Sequence, residues 1–330
     1  MRHHPPRLGG GFFFIFFIII NTWAVSSAGR ASRLHRGGRR FEPVTAHHPF
    51  HTYVAMEKSA LQNFQSWSAF WHAVRTYPIR HLGQHTRTMF HLLGHGKGLR
   101  SRKIYDIALD CGALTSDHVA LAVALEYIHT ASLCHDDVLD NGQVRRGKAC
   151  IHRTHSHAQA VLLGDALVAE GLSILTHLPH PTIISLACQC LAHLVEGQMV
   201  EHTLGPQSCQ SSYIDMIGKK TGALFGLAYQ GAGLISGLPT IKTDILYQSG
   251  YDIGIAYQLL DDCAEYEEPI DQWTAGHDCL EKKWTLPVLH TYQIHPKITH
   301  HALHAVWSNP GNKKARYDLV NILQPSIHFV

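Results

Sequence analysis

The strongest chemical feature of this sequence is a pair of matched acidic clusters, each placed where a long apolar segment ends. The clusters share the spacing i, i+1, i+4 and consist of Asp136, Asp137 and Asp140, and of Asp261, Asp262 and Glu265. Carboxylates at i and i+4 lie about 40° apart on one helical face, where their oxygens can share a hard cation such as Mg²⁺. A solvated helix end is the plainer explanation, but acidic residues there oppose the helix dipole. If both helices line one cavity, the sequence predicts a site where several Mg²⁺ ions grip a diphosphate.

Long helices are needed to position these clusters, and the chain from about Ser59 to about Leu289 is predicted to form them. Apolar residues recur there at spacings of three and four, and the alternation typical of β-strands is scarce. The segment 119–140 is apolar on nearly every side, which favours a helix at the centre of a bundle. Gly, Pro or polar residues predict breaks at 94–98, 141–147, 177–181, 205–208, 237–239 and 267–276. We therefore predict an all-α fold, with residues 42–330 in a single domain.

Composition narrows the class of protein. Hydrophobic residues make up 45% of the chain and charged residues 16%, which is typical of a globular protein and not of a disordered or multi-span membrane protein. The net charge is +3 with its basic excess largely in the first 41 residues, so no nucleic-acid partner is expected.

The eight cysteines form no CxxC pair, which indicates reduced thiols. His152, His155 and His157 suggest zinc as one interpretation, but we favour a surface loop.

Residues 1–41 have the composition of a targeting segment, with seven arginines and no Asp or Glu. An apolar run at 12–20 precedes small residues at 21–29. The acid-free, Arg- and Ser-containing composition favours a mitochondrial presequence, whereas the apolar run fits a secretory signal or the first half of a plastid signal. Because the run is far shorter than the roughly 20 residues that span a bilayer, a permanent membrane anchor is less favoured. We expect a mitochondrial protein.

Several motifs, in a consistent order, resemble those of the trans-type polyprenyl diphosphate synthases. HTASLCHDDVLDNGQVRRG is similar to that family's first aspartate-rich motif, and AYQLLDDCAEY is similar to its second. The resemblance extends from GKGLRSR at 96–102, through GDALVAEG at 164–171 and GKKTGALFGLA at 218–228, to HDCLEKKWTLPVL at 277–289. It implies an isoprenoid-synthase-type helical bundle around a central cavity. It also implies a Mg²⁺-dependent prenyl transferase, most similar to the long-chain enzymes that make ubiquinone side chains.

Carried over position by position, the resemblance implies two diphosphate sites. Mg²⁺ on an allylic diphosphate would be held by Asp136, Asp137, Asp140, Asp261, Asp262 and Glu265. The same diphosphate would contact Arg145, Lys220, Thr221 and Gln258, with Lys283 as the nearest family lysine of the later loop. Isopentenyl diphosphate would be held by Lys97, Arg100, His129 and Arg146. Arginine offers phosphate a planar fork of donors and lysine a point charge, which lowers the cost of crowding two polyanions.

The implied reaction needs no covalent enzyme intermediate. Mg²⁺ and the cationic side chains would stabilise the departing diphosphate while the allylic C–O bond ionises in a dry site. Isopentenyl diphosphate would then attack the allylic cation and lose a proton to the released diphosphate. Ala131 and Ser132 lie just before the first motif, where bulky aromatic residues limit product length in the family. Small residues there predict a long product, although close helix packing is an alternative reason for them.

The sequence departs from the family pattern in four places. Glu265 replaces the usual third aspartate, so Glu265→Asp is expected to be neutral or activating. The loop before Asp278 lacks the usual Gly-Lys pair, and GKGLRSR replaces the more usual GKRLRP. Only 43 residues follow Pro287, so the C-terminal part is expected to be shortened.

These departures keep other functions open. One is a non-catalytic partner subunit of a heteromeric synthase, but the intact first motif favours catalysis. Others are a short-chain farnesyl or geranylgeranyl diphosphate synthase and a terpene cyclase, the last being less favoured because a cyclase needs no isopentenyl site. The resemblance also implies a homodimer or a heteromer with a related subunit, and a peripheral membrane contact for product release.

Overall fold

The computed structural model describes residues 66–79, 81–93, 96–266 and 276–327. All of these residues belong to one compact unit, His51–Val330. The predicted targeting segment, residues 1–41, lies outside the described residues, so that interpretation stays a prediction.

The described chain is almost entirely helical. Its helices are α1 Trp67–Arg75, α2 Gln84–Leu92, α3 Leu99–Asp110, α4 Ser116–Leu139, α5 Ile151–Thr154, α6 His157–Thr176, α7 Pro181–Glu201, α8 Gln210–Ile217, α9 Ala223–Ile235, α10 Thr240–Ala264, α11 His277–Leu280, α12 Leu286–Ile294, α13 Pro296–Ser308 and α14 Lys313–Ile327. A π-helical turn, Gly218–Gly222, joins α8 to α9. Within the described ranges, strands occur only in an antiparallel hairpin, with β1 at Val144–Arg145 and β2 at Lys148–Ala149. The prediction of an all-α fold is confirmed.

Helix α4 is the central helix that the apolar segment 119–140 predicted. It packs most extensively against α6 and also contacts α3 and α9, and its residues 121–125 are fully buried. Its N-terminus is capped through His118, whose Nδ1 accepts the Thr115 backbone N–H at 3.2 Å. Nε2 of His118 lies 3.1 Å from Oγ of Ser236, at the end of α9. These contacts fix the start of α4, and its far end carries the first acidic cluster.

Helices α9 and α10 approach each other closely because glycines remove side chains where they touch. A Cβ added at Gly254 would lie 2.7 Å from Cα of Gly222, which is closer than packed atoms allow. The contact places the last turns of α10, which carry the second acidic cluster, beside the π-helical turn. The glycines of this interface therefore help to assemble the site.

A separate apolar cluster supports the segment that follows the second acidic cluster. It is built from Tyr266, Cys279 and residues of α12 to α14, namely Val288, Ala302, Leu303, Val306, Leu319, Val320 and Leu323. Helices α12 to α14 continue past Leu289, the limit of the helical region predicted from sequence.

Two described helices, α6 and α7, are long and apolar enough to cross a membrane, judged by length and composition alone. Buried core helices of globular proteins share that property. Helix α6 packs along α4, and α7 contacts the π-helical turn and α9. Their apolar character is therefore accounted for, at least in part, by packing within the bundle.

Candidate active site

The first acidic cluster lies at the C-terminal end of α4, next to the hairpin. Asp137 is buried, and Nε and Nη2 of Arg145 donate to its Oδ1 at 2.9 and 2.6 Å. The hairpin turns through Arg146 and Gly147, whose φ angles are 52° and 73°. These values are typical of a type I′ turn, which costs a non-glycine residue roughly 1–2 kcal/mol. Strain of this kind persists where the surrounding structure holds a functional geometry.

Lys220 connects the π-helical turn to the first cluster. Its Nζ donates to Oε2 of Glu201 at 2.6 Å and lies 4.0 Å from Oδ2 of Asp136. The turn comes close to α7 because Gly197 has no side chain, since a Cβ there would lie 2.7 Å from the backbone nitrogen of Lys220. Turns of π-helix are rare and frequently occur at functional sites. Glu201 is thus an acid of the site that the sequence did not predict.

Lys283 connects the segment after α11 to the same cluster. Its Nζ lies 2.9 Å from Oδ2 of Asp140, 2.6 Å from Oε2 of Glu281 and 3.9 Å from Oδ1 of Asp278. Burial lowers the pKa of Lys283, but the surrounding carboxylates outweigh burial and raise it well above its ordinary value. Lys283 is therefore a charged link between the first cluster and the segment that follows α11.

The second cluster divides into an exposed acid, Asp261, and a buried one, Asp262. The hydroxyl of Tyr213 donates to Oδ2 of Asp262, and Nε2 of Gln258 donates to Oδ1 at 2.7 Å. Oγ1 of Thr221 in turn donates to Oε1 of Gln258 at 2.9 Å. Thr221 and Gln258, predicted to contact a diphosphate, therefore also hold Asp262 in place.

Glu265 contacts the protein backbone. Its Oε2 accepts the N–H groups of His277 at 2.8 Å and of Asp278 at 3.4 Å. Burial and the charge of Asp278 raise the pKa of Glu265 to about 7, against the lowering effect of the two N–H donors. Of the predicted metal ligands, Glu265 is the one that accepts backbone N–H groups from another segment.

One acid of each cluster is influenced by the charge of Glu201. Burial raises the pKa of Asp136, and Glu201 raises it further, although Lys220 opposes the shift. Burial also raises the pKa of Asp262 well above its ordinary value, and Asp278 and Glu201 add to that effect. Because Glu201 acts on one acid of each cluster, the structure brings the two clusters to one site.

This set of donors fits a divalent cation. Crowded carboxylates with raised pKa values offer the oxygen ligands that Mg²⁺ and Ca²⁺ prefer. Among the residues that the structure describes, no group of three or more His, Cys, Asp or Glu side chains could hold a metal ion unaided. Mg²⁺ is usually bound by one or two carboxylates together with the phosphate oxygens of a substrate. The site therefore suits a metal that binds together with a diphosphate.

A cationic cluster lies beyond the first acidic cluster. The guanidinium of Arg100 lies 4.5 Å from the centroid of the Phe225 ring, and its buried Nε has no hydrogen-bond partner. A Cβ at Gly96 would lie 2.7 Å from Nη2 of Arg146, so this arginine rests against the GKG loop. Burial lowers the pKa of His129 well below its ordinary value, and Arg100 and Arg146 lower it further. Two arginines and a neutral histidine thus form an environment suited to a phosphate group.

The remaining predicted residues, Lys97, Ala131 and Ser132, differ in their exposure to solvent. Lys97 is exposed. Ala131 is fully buried, and Ser132 is half-buried with its Oγ donating to the carbonyl oxygen of His129 at 2.9 Å. The role of Ala131 and Ser132 in product length stays a prediction.

The histidine-rich segment is only partly a surface loop. His155 and His157 are exposed, but His152 is buried and its ring centroid lies 5.0 Å from that of His157.

Sequence reasoning missed four polar residues of the site, Glu201, Tyr213, Asp278 and Glu281. Glu201 carried a usable signal, because it is an acid at the end of an apolar helix, as in both predicted clusters. Tyr213 carried none, since a single tyrosine in an amphipathic helix is ordinary.

An all-α bundle with two acidic clusters, lysines beside the first of them and a neighbouring cationic cluster defines a class of protein suited to binding diphosphates with a divalent metal. The family model described as polyprenyl synthetase matches residues 84–322. The chain therefore belongs to the polyprenyl synthetase family, which uses a divalent metal.

Similar proteins agree with this assignment. The octaprenyl diphosphate synthase of Escherichia coli (strain K12) is 32% identical over 60% of this chain and 62% of its own length. The octaprenyl diphosphate synthase of Haemophilus influenzae is 31% identical over 69% of this chain and 70% of its own length. For solanesyl-diphosphate synthase 2 of Oryza sativa the identity is 32%, over 56% of this chain and 47% of the relative. The matches thus span from about half to about two thirds of these relatives.

Solved structures share the fold. The decaprenyl diphosphate synthase from Rhodobacter capsulatus superposes with a TM-score of 0.70 at 25% identity, covering 82% of this chain and 85% of that one. A polyprenyl synthase from Caulobacter crescentus, in complex with calcium and isoprenyl diphosphate, gives a TM-score of 0.69 at 26% identity and covers 79% and 84%.

Proposed function

We propose that this chain is a Mg²⁺-dependent trans-prenyl transferase that condenses an allylic diphosphate with successive isopentenyl diphosphates. The observation that carries the proposal is that one acid of each cluster, Asp136 and Asp262, lies within the influence of the same two charges, Glu201 and Lys283. Lys220 pairs with Glu201 and lies 4.0 Å from Asp136. Lys283 pairs with Asp140 of the first cluster. The separate cationic cluster at Arg100 provides for a second diphosphate.

Different residues of the site would bind the metal, stabilise the leaving diphosphate and hold the second substrate. A divalent metal, held by Asp136, Asp140 and Asp261 together with substrate oxygens, would neutralise the charge of the allylic diphosphate. Lys220 supplies positive charge on the same side, and stabilises the leaving diphosphate as the allylic C–O bond ionises. Arg100 and Arg146 hold the diphosphate of the second substrate, so that its double bond meets the allylic cation in a fixed orientation.

The proton leaves from the newly joined unit. Its acceptor is the released diphosphate, since burial keeps His129 neutral beside two arginines and favours no further positive charge there. The carbon skeleton gains five carbons and one new C–C bond, and the product is again an allylic diphosphate. Repetition of this cycle therefore needs only room for the tail.

A long product is supported by the names of several relatives, which are octaprenyl and solanesyl diphosphate synthases. The small residues Ala131 and Ser132 support it too. Mg²⁺ is supported by the carboxylate donors, and the Caulobacter crescentus polyprenyl synthase forms a complex with calcium and isoprenyl diphosphate. We infer a product that serves as a ubiquinone-type side chain. We further infer a homodimer or a heteromer with a related subunit, and a peripheral membrane contact for release of the product.

Mitochondrial localisation is proposed from the acid-free, arginine-containing composition of residues 1–41. Imaging of a fluorescent fusion of the full chain, beside a fusion lacking residues 1–41, tests it. Retention of the full-length fusion in another compartment would contradict it.

The function is tested with the purified chain, labelled isopentenyl diphosphate and a choice of geranyl, farnesyl or geranylgeranyl diphosphate, with and without Mg²⁺. Chromatography of dephosphorylated products should show long polyprenols that form only with Mg²⁺. Products of three or four isoprene units would support a short-chain synthase instead. Activity that requires a related subunit, and persists when Asp136 of this chain is replaced by Ala, would identify a non-catalytic partner. Cyclic hydrocarbon formed without isopentenyl diphosphate would identify a cyclase.

A further inference from the structure

Glu265 makes contacts that a metal ligand does not need. One oxygen, Oε2, accepts two backbone N–H groups, those of His277 and Asp278. The backbone of the same residue takes part, because the carbonyl oxygen of Glu265 accepts the N–H of Gly276 at 3.1 Å. An oxygen that accepts two N–H groups has little remaining capacity for a cation. Glu265 therefore holds the start of the segment 276–283.

The end of that segment reaches the first acidic cluster. Within it, the N–H of Glu281 donates to the carbonyl oxygen of His277 at 3.1 Å, and the N–H of Lys283 donates to that of Asp278 at 2.9 Å. Lys283 Nζ then lies 2.9 Å from Oδ2 of Asp140. The two residues that Glu265 binds are thus hydrogen-bonded onward to Glu281 and Lys283. Glu281 pairs with Lys283, and Lys283 reaches Asp140.

We propose that Glu265 is a positioning residue, which fixes the segment 276–283 through two backbone hydrogen bonds so that Lys283 reaches Asp140 of the first acidic cluster. The inference rests on the proposed function, because the first cluster is where the allylic diphosphate binds. It assigns to an acid of the second motif a role in the geometry of the first. The relevant property of Glu265 is then the reach of its side chain rather than its charge.

Reach and charge can be separated by substitution. Aspartate keeps the carboxylate but is one C–C bond, about 1.5 Å, shorter, so the 2.8 Å bond to His277 would be lost. Glutamine keeps the length and an acceptor oxygen but loses the charge. A metal ligand should tolerate Asp better than Gln, and the resemblance to the family predicted that Glu265→Asp is neutral or activating. A positioning residue should tolerate Gln better than Asp.

The first experiment measures kcat and the Mg²⁺ concentration for half-maximal activity in wild type, Glu265→Asp and Glu265→Gln. We expect Glu265→Asp to lower kcat by about tenfold or more, as loss of a supporting contact to a site residue often does, while Glu265→Gln retains most of it. Glu196→Asp and Glu196→Gln, at an exposed glutamate of α7, are the matched controls and should resemble wild type. Full activity in Glu265→Asp, or a larger loss in Glu265→Gln, would overturn the proposal.

Amide hydrogen exchange provides a readout that does not depend on turnover. The amides of His277 and Asp278 should lose protection in Glu265→Asp and keep it in Glu265→Gln, with thermal melts confirming that both variants are folded. Equal protection in the two variants would overturn the proposal even if wild type is active. If wild type forms no prenyl product, the proposed function fails, and the exchange pattern still decides whether Glu265 holds this segment.

Discussion

Replacing Tyr213 with phenylalanine should lower both the free energy of unfolding and the turnover that depends on the second acidic cluster. The ring of Tyr213 is buried in an apolar cluster that includes Met216, Ile217 and Leu289, and phenylalanine keeps that packing. Its hydroxyl donates to Asp262. The substitution therefore removes one hydrogen bond to a buried carboxylate and little else.

The magnitude follows from the burial of the acceptor. Leaving a buried acceptor without its hydrogen-bond donor costs about 1–3 kcal/mol. Asp262 is only 4% exposed, so water cannot readily replace the hydroxyl, and we expect a loss of about 2–3 kcal/mol in the free energy of unfolding. Gln258 alone then holds the carboxylate, and turnover should fall by about tenfold.

Urea denaturation followed by circular dichroism measures the stability, and steady-state turnover at saturating Mg²⁺ measures the site. Tyr266→Phe is the matched control, because that hydroxyl is also buried but has the neutral partners Cys279 Sγ and Thr285 Oγ1, at 3.4 and 3.2 Å. Its loss should cost about 1 kcal/mol. Equal destabilisation in both variants, or unchanged turnover in Tyr213→Phe, would refute the reasoning.

Further predictions concern the metal site, product length and stability. Asp136→Ala and Asp261→Ala should each lower turnover by about a hundredfold or more with an unchanged circular dichroism spectrum, since each removes an oxygen ligand; retained Mg²⁺-dependent turnover would contradict the assignment. Ala131→Phe should shorten the product, as measured by chromatography, while condensation survives. Because overpacking costs about 1–3 kcal/mol, a thermal melt must show that the variant is folded. Unchanged long products from a folded variant would place the channel elsewhere. Burial lowers the pKa of His118 to about 4, below about 6.5 in the unfolded chain. The unfolded state thus binds the extra proton, so stability should fall by up to about 3 kcal/mol as pH drops from about 6.5 to 4, and a His118→Gln variant should lack that part of the pH dependence in urea titrations. Lys282→Gly should raise the melting temperature slightly, because φ is 61° at Lys282 and glycine removes roughly 1–2 kcal/mol of strain. A lower melting temperature would show that the Lys282 side chain contributes more to stability than the backbone strain costs.

The features predicted correctly from sequence were those set by local pattern. Helix α4 was predicted because its apolar residues and its acidic end are contiguous, and the breaks at 177–181, 205–208 and 237–239 separate observed helices because Gly and Pro act locally. The hairpin at 144–149 was missed, since its short strands show no alternation and its turn depends on the unusual φ of Arg146.

The ion pairs and hydrogen bonds that complete the site could not be predicted, because they join residues far apart in the chain. Glu201 pairs with a lysine 19 residues later, and Tyr213 donates to an aspartate 49 residues later. Neither separation follows from helical periodicity, which relates residues three or four apart. Glu265 shows the same limit, since its place in a motif indicated a metal ligand while its side chain reaches the backbone of His277.

Under the proposed function, the balance of charge favours binding of the metal together with the substrate. In the part of the chain that the structure describes, two lysines, Lys220 and Lys283, lie among five acids, namely Asp136, Asp140, Glu201, Asp278 and Glu281. The raised pKa of Asp136 reflects burial and the charges of neighbouring acids, which no nearby cation fully offsets. A diphosphate that approached alone would meet the same negative charge, whereas a divalent cation bound between carboxylate and phosphate oxygens makes the contact favourable. Lys220 and Lys283 form ion pairs with these acids, which partly offsets the repulsion among the carboxylates.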